Sequence, residues 1–309
     1  MGRRKPQVLR RDRRHHHPIA GRRGTPVVNP VLTEPTGTTR RRRPRQKAST
    51  LSRPAAIGLG VGVTWFSILV LIPLALISFQ AAGGGWGVFL ETLGNAQTAS
   101  AIGLTVRQAL LVTLVNVVMG TLIAWVLVRD RFWGKRALEI IIDIPFALPT
   151  IVAGLVLLSL YGPESPLGVN VANTSHSVFL ALLFVTLPFV VRAVEPVLME
   201  LEPEVEEAAA SLGASTFTTW RRIILPSLAP SIASGATLSF ARGISEYGSL
   251  VLLSGNLPFE SEVASVRIFS YIENDNPAAA SAVAVILLTV ALAAIVTLNL
   301  ISQRVTRHG

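Results

Sequence analysis

Residues 203–226, PEVEEAAASLGASTFTTWRRIILP, lie between two long apolar runs, and their reading decides what kind of chain this is. Pro203 suits a first helical position, where its missing N–H costs nothing. Glu204, Glu206 and Glu207 then fall in or near the first turn, favourable against the positive end of a helix. Ala208, Ala209 and Ala210 propagate that helix, and Gly213 suits its left-handed C-terminal cap. Ser215 can cap a second short helix carrying Phe217, Trp220, Ile223 and Ile224, with Arg221 and Arg222 near its end. Pro226 is expected to stop it. A helix–turn–helix results, lying at a membrane surface, with a row of small residues that lets another backbone approach closely. On these features alone it reads as an interfacial amphipathic hairpin.

The flanks supply the membrane. From Pro54 onward six stretches are long enough to cross roughly 30 Å of hydrocarbon as helices: about 55–79, 103–128, 138–160, 178–194, 229–253 and 279–302. The fourth reaches spanning length only if it runs past Pro188. Pro145 and Pro149, four apart in Asp143-Ile-Pro-Phe-Ala-Leu-Pro-Thr150, are expected to bend the third, either as a packing kink or as a broken helix lining a pathway. With the N-terminus in the cytoplasm, the inside connectors hold Arg129, Arg131, Lys135, Arg136, Arg192, Arg221 and Arg222, and Arg304 and Arg307 follow the last span. The outside loops carry Arg267 beside Glu91, Glu164, Glu260, Glu262, Glu273 and Asp275. This positive-inside asymmetry predicts both ends inside.

Composition agrees. Half of the 309 residues are hydrophobic and 15% are charged, with a mean hydropathy of +0.52, which weighs against a soluble enzyme. The formal charge of +10 belongs to a tail: residues 1–53 hold 16 of the 28 Lys and Arg with only Asp12 and Glu34, whereas the remainder is net −4. That tail is expected to be disordered, with Arg40–Arg43 facing anionic lipid. No folded reader or interleaved aromatic accompanies it, so nucleic acid is not expected as a partner. Cysteine is absent, which excludes disulfides, zinc–thiolate sites and Cys nucleophiles.

The spacing within 207–226 adds specificity. Glu207-Ala208-Ala209, three residues, Gly213, nine residues, then Ile223-x-Leu225-Pro226 resembles the signature loop of ABC-importer membrane subunits. The resemblance runs from about Leu104 to Ser302. It implies an all-α, six-span permease fold with a type-1 transmembrane domain at 101–303, preceded by a first span and outer loop at 54–100 and followed by a cytoplasmic end at 304–309. The 195–228 connector would hold the coupling helix that docks on an ATPase. Further segments resemble the T-type subunit of sulfate/thiosulfate permeases: Asp143–Thr150 with Ala153-Gly154, Leu160–Pro163 with Leu167-Gly168, Ser245-Glu-Tyr-Gly-Ser249, and Ser254–Phe259. The family favours Gly where Ser245 stands. The likeness implies a homologous W-type second permease, two ATPase subunits holding ATP and Mg, and an extracytoplasmic sulfate-binding protein. No cofactor or metal on this chain is implied, and no catalytic residue. A molybdate or tungstate permease is the nearer alternative, and a secondary transporter the more distant one.

Inside the spans, Arg242 and Glu246 lie four apart on one helix face; mutual neutralisation is their simplest account, and the alternative is a place on the translocation pathway, with Arg242 attracting or passing a dianion and Glu246 orienting it or holding a gate. Ser245, Tyr247, Gly248 and Ser249 can offer weak neutral contacts to a passing oxyanion, which suits transport because a site that binds too well does not release. Arg107 opens the second span near the outside face and can snorkel. His176, between Ser175 and Ser177, lacks any nucleophile elbow. No Gly-x-x-x-x-Gly-Lys-[Ser/Thr] loop is present, so ATP binding is expected on partners.

Overall fold

Every apolar run becomes helical in the computed structural model, which describes residues 53–307; among them no strand occurs. The basic stretch 1–52 and the charged ends of Arg304 and Arg307 lie outside the described residues. In order, α1 (Arg53–Phe66) passes through a π-helical turn, Ser67–Leu71, into α2 (Ile72–Gly83), and α3 (Gly85–Gly94) follows. Then come α4 (Ala96–Arg129), α5 (Lys135–Ala147), α6 (Thr150–Tyr161), α7 (Ser175–Glu200), α8 (Pro203–Ser211) and α9 (Thr216–Thr219). A second π turn, Trp220–Ile224, leads into α10 (Leu225–Ile244), followed by α11 (Gly248–Leu253), α12 (Ala264–Glu273) and α13 (Pro277–Arg307). Five continuous helices among the described residues can cross a membrane by length and apolarity: Ala55–Gly83, Ala96–Arg129, Ser175–Glu200, Thr216–Ile244 and Pro277–Leu300. The bent pair α5–α6 makes a sixth.

Three helices form the core, and small and polar residues set their spacing, as expected where lipid removes the hydrophobic drive between helices. On α4 the residues Ala109, Val112, Asn116, Ala124 and Leu127 are buried, whereas Leu110, Leu114, Val118 and Leu122 on another face are exposed. The buried face meets α7 at Val190, so closely that a Cβ at Gly120 would lie 2.8 Å from the Val190 Cβ. From the other side α10 brings Gly235, whose added Cβ would sit 2.9 Å from the Val190 Cα. Asn116 is fully buried and donates to Thr186 Oγ1 of α7 (2.7 Å) and Ser239 Oγ of α10 (3.1 Å), so one amide joins all three helices.

Several boundaries differ from the sequence reading. The fourth span does pass Pro188, and Pro196 also lies within α7. Pro226 does not stop the second hairpin helix: the chain continues through it from Thr216 to Ile244. The π turn explains this. Leu225 N bonds the Trp220 carbonyl five residues back, and this wider turn makes room for the ring of Pro226 and for the bond it cannot make. The same device recurs in the first span, where the Ser67–Leu71 turn precedes Pro73. The fifth span therefore runs earlier than 229–253; it ends at Ile244, and 248–253 is a separate helix. The third span is no single rod but two helices turned by 118° at Leu148–Pro149.

Candidate functional site

At one end of the molecule the hairpin forms as its sequence dictates. Pro203 sits in the first turn of α8 with Glu204 and Glu206. Gly213 adopts φ +83°, and two bonds close the helix: Gly213 N to the Ala210 carbonyl (2.9 Å) and Ala214 N to the Ala209 carbonyl (3.0 Å). Ser215 Oγ accepts from Thr218 N (3.3 Å) to open α9. Arg129, the last residue of α4, anchors the hairpin: it pairs with Glu206 at 2.7 Å, donates to the Leu201 carbonyl at 3.0 Å, and stacks its guanidinium 5.7 Å from the Trp125 ring centre. Ala209 is buried, whereas Glu207, Ala208 and Gly213 are exposed. Ile223 and Pro226 are half-buried, and Leu225 is exposed. The two large apolar side chains of the turn stand clear of the protein: Leu212 is 89% exposed and Phe217 71%. Beside them runs a groove of about 430 Å³ lined by Val205, Ala208, Leu212, Thr218, Arg222 and Ile223.

Two helix breaks form the second cluster. Leu148 and Pro149 are extended between α5 and α6, with Pro145 inside α5. Ser245, Glu246 and Tyr247 separate α10 from α11. The breaks meet: an added Cβ on Gly154 would lie 2.7 Å from the Ser249 carbonyl oxygen, and one on Gly248 would overlap the Thr150 hydroxyl. Glu246 is 1% exposed. Its Oε1 accepts from both the N–H and the hydroxyl of Ser249 (2.9 Å each), and its carbonyl accepts from Ser265 Oγ (2.7 Å). Its Oε2 lies 2.6 Å from Arg242 Nη1 as a charge pair outside hydrogen-bond alignment. The neutralisation read from the sequence is present, although Glu246 stands in the break and not on the helix. Ser245 is exposed and donates to the Arg242 carbonyl (3.1 Å), and the Tyr247 ring packs against Phe269 at 5.6 Å.

A third feature was missed in the sequence. Arg192, read as a connector charge, lies within α7. Its Nε donates to Asp143 Oδ1 of α5 (2.9 Å), its Nη2 to Asp143 Oδ2, and its Nη1 to the buried Glu195 (2.7 Å). The available signal was Asp143 in the apolar run Ile140–Phe146, since a carboxylate there needs a cation. At the far end of α4, Gln97 donates to Glu262 (2.7 Å), and Arg267 contacts Glu262 at 3.9 Å and Thr98 at 3.3 Å. Arg267 also stacks 4.4 Å from the Tyr271 ring centre. Among the described residues no group of three or more His, Asp or Glu side chains is placed to hold a metal ion.

A family model described as "Binding-protein-dependent transport system inner membrane component" matches residues 116–307. The sulfate transport system permease protein CysT of Synechocystis sp. is 41% identical over 256 residues, covering 81% of this chain and 90% of that protein. CysT of Escherichia coli is 36% identical over 259 residues, covering 82% and 94%. Among solved structures, a bacterial ABC transporter involved in import of the acidic polysaccharide alginate shares the fold, with a TM-score of 0.67 at 20% identity over 81% of this chain and 95% of that one. An inward-facing MetNI methionine ABC transporter aligns with a TM-score of 0.55 at 18% identity over 67% and 94%.

Proposed function

The chain belongs to the family of binding-protein-dependent transport system inner membrane components, and on that premise we propose that it is the T-type permease subunit of an ATP-driven sulfate/thiosulfate importer. It is a transport component of the inner membrane and performs no chemistry on its cargo. The observation that carries the substrate is the likeness to sulfate permeases over nearly their whole length. Both termini lie in the cytoplasm, a reading supported by the basic residues clustered at the hairpin end of the membrane helices.

The hairpin 203–226 is the coupling element. Glu207, Ala208 and the Gly213 turn face an ATPase subunit, the small buried Ala209 lets the helix lie close beneath them, and Ile223, Leu225 and Pro226 form its root; the exposure of Leu212 and Phe217 supports a partner here. ATP and Mg bind that ATPase, and this chain contributes no nucleotide site. Motion of the hairpin passes to α4 through Arg129–Glu206 and along α7, which the Asp143–Arg192 pair ties to α5 and so to the break at Leu148–Pro149. Arg242, Ser245, Tyr247, Gly248 and Ser249 border the pathway with Pro145 and Pro149, and Glu246 holds the break in shape. A homologous W-type permease supplies the other half of the pathway. Two ATPase copies and an extracytoplasmic sulfate-binding protein complete the importer in the lipid membrane.

Purification in mild detergent should recover an ATPase and a second, different permease with the tagged chain. Cells carrying the complex should take up labelled sulfate, with competition by thiosulfate at micromolar levels and not by molybdate or tungstate. Preferential competition by molybdate or tungstate would reassign the cargo. Uptake by the chain alone, surviving ATP depletion, would overturn the coupling role.

A further inference from the structure

At the end of α4 opposite the hairpin lies a cavity of about 530 Å³ lined by Ser100, Gly103, Arg107, Ser175, Phe259 and Glu260. Arg107 and Arg129 are 22 positions apart on one helix, about 33 Å at the α-helical rise, so they bracket the apolar stretch and place Arg107 at the hydrocarbon boundary. A cation on this face runs against the charge bias of the chain. The other cation among the connecting segments of this face, Arg267, is accounted for by Glu262 and Tyr271, whereas Arg107 is exposed and makes no ion pair among the described residues. The adjacent Gln108 donates to the Ser175 carbonyl at 3.0 Å and so fixes the wall of the cavity behind Arg107.

The opposite wall is built to hold its shape. It comes from the Ser254–Phe259 segment, whose role the coupling scheme leaves open. Gly255, Asn256 and Phe259 take φ of +68°, +52° and +68°, and for a bulky side chain that region costs about 1–2 kcal/mol. The turn is over-determined: the N–H groups of Glu260, Ser261 and Glu262 all bond the Leu257 carbonyl, and the Ser261 hydroxyl accepts from Leu257 N (3.1 Å) while donating to the Ser254 carbonyl. Strained backbone fixed by surrounding bonds is characteristic of clamps for ligands. Here it presents Phe259 and Glu260 to the cavity that the Arg107 guanidinium also lines.

We propose that Arg107 is the specificity-determining charge that receives the divalent oxyanion at the mouth of the pathway, a role that rests on the import function argued above. The guanidinium fork matches a tetrahedral oxyanion. Glu260 across the cavity keeps the site weak enough to release its cargo, as conduction requires. The same chemistry would suit a lipid phosphate, and the experiment separates the two.

In liposomes holding the assembled importer, Arg107→Gln should lower sulfate uptake about ten-fold or more, within the range for charge-focused capture. ATP hydrolysis stimulated by the loaded binding protein should stay near wild type, and Arg107→Lys should restore most of the uptake. Unchanged uptake in Arg107→Gln overturns the proposal. So does a parallel fall of uptake and stimulated hydrolysis, which would assign Arg107 to docking of the binding protein or to folding. Because the chain has no cysteine, Arg107→Cys is a single-thiol probe. Rapid labelling by a membrane-impermeant cationic thiol reagent from outside places the side chain in water, whereas failure to label places it against lipid and also overturns the proposal. A wild-type importer that takes up no divalent oxyanion would instead defeat the functional reading itself.

Discussion

The hairpin at 203–226 and the paired breaks at 148–149 and 245–247 both interrupt the membrane helices, and they are held in opposite ways. The breaks are self-contained: glycine lets backbone meet backbone at Gly154–Ser249 and Gly248–Thr150, and a buried carboxylate caps α11. The outer end of the hairpin is held to α4 through Arg129, in a partly exposed pair with Glu206 and a bond to the Leu201 carbonyl, with Leu212 and Phe217 standing out in the open. A pair of that kind contributes about 0–1 kcal/mol. The first region needs nothing further, and the second is completed by another surface. Substitutions should therefore affect folding at the breaks and assembly at the hairpin.

The largest effect is expected at Gly248→Val, whose branched side chain would collide with Thr150 and with Ile151 N, 3.0 Å from an added Cβ. It should destabilise the protein by about 3 kcal/mol or more, seen as lost membrane yield and a lower Tm in detergent. Glu246→Ala strands Arg242 and uncaps α11; with Arg242 still 30% exposed, the loss should be about 2–3 kcal/mol. Adding Arg242→Ala to it should cost less than the two single effects together, and strict additivity would mean that the ion pair does not hold the break. Gly213→Val meets no atom within 4 Å, so only the φ of +83° opposes it. The cost should be about 1–2 kcal/mol, local to the hairpin, with insertion intact and uptake abolished; wild-type uptake would remove the hairpin from coupling. Leu212→Ser should change Tm least, within about 0.5 kcal/mol, yet reduce the ATPase retained on the tagged chain. Retention at the wild-type level would erase the contrast between the two regions.

What the sequence displayed was whatever depends on neighbours along the chain. Pro203, Gly213 and Ser215 mark the hairpin because capping is decided within a few residues. Apolar length marked the spans. Pro226 misled because whether a proline stops a helix depends on the hydrogen-bond register before it, and the π turn at Trp220–Ile224 leaves no residue signature. The end of the fifth span was hidden for a different reason. The apolar run Leu250–Leu253 reads as its continuation beyond Ser245–Ser249, and what separates the two is the fit of Ser249 against Gly154, some 95 positions away in the chain. The Asp143–Arg192 pair is likewise a contact between helices, visible beforehand only as one unexplained carboxylate.

α4 is built as a lever. Its 34 residues form one unbroken rod, about 51 Å long, whose last residue grips the hairpin and whose first turn carries the Gln97 contact to Glu262 and the Thr98 contact to Tyr271 of α12. Its buried face, wedged on α7 near Gly120, acts as the fulcrum. A tilt of about 5° about that point, roughly 36 Å from the first residue and roughly 14 Å from the last, would move the far end by about 3 Å and the hairpin end by about 1 Å in opposite senses, enough at the far end to exchange one hydrogen-bond partner for the next. A nudge on the hairpin thus becomes an opposite displacement at the mouth without any bond within the rod being broken.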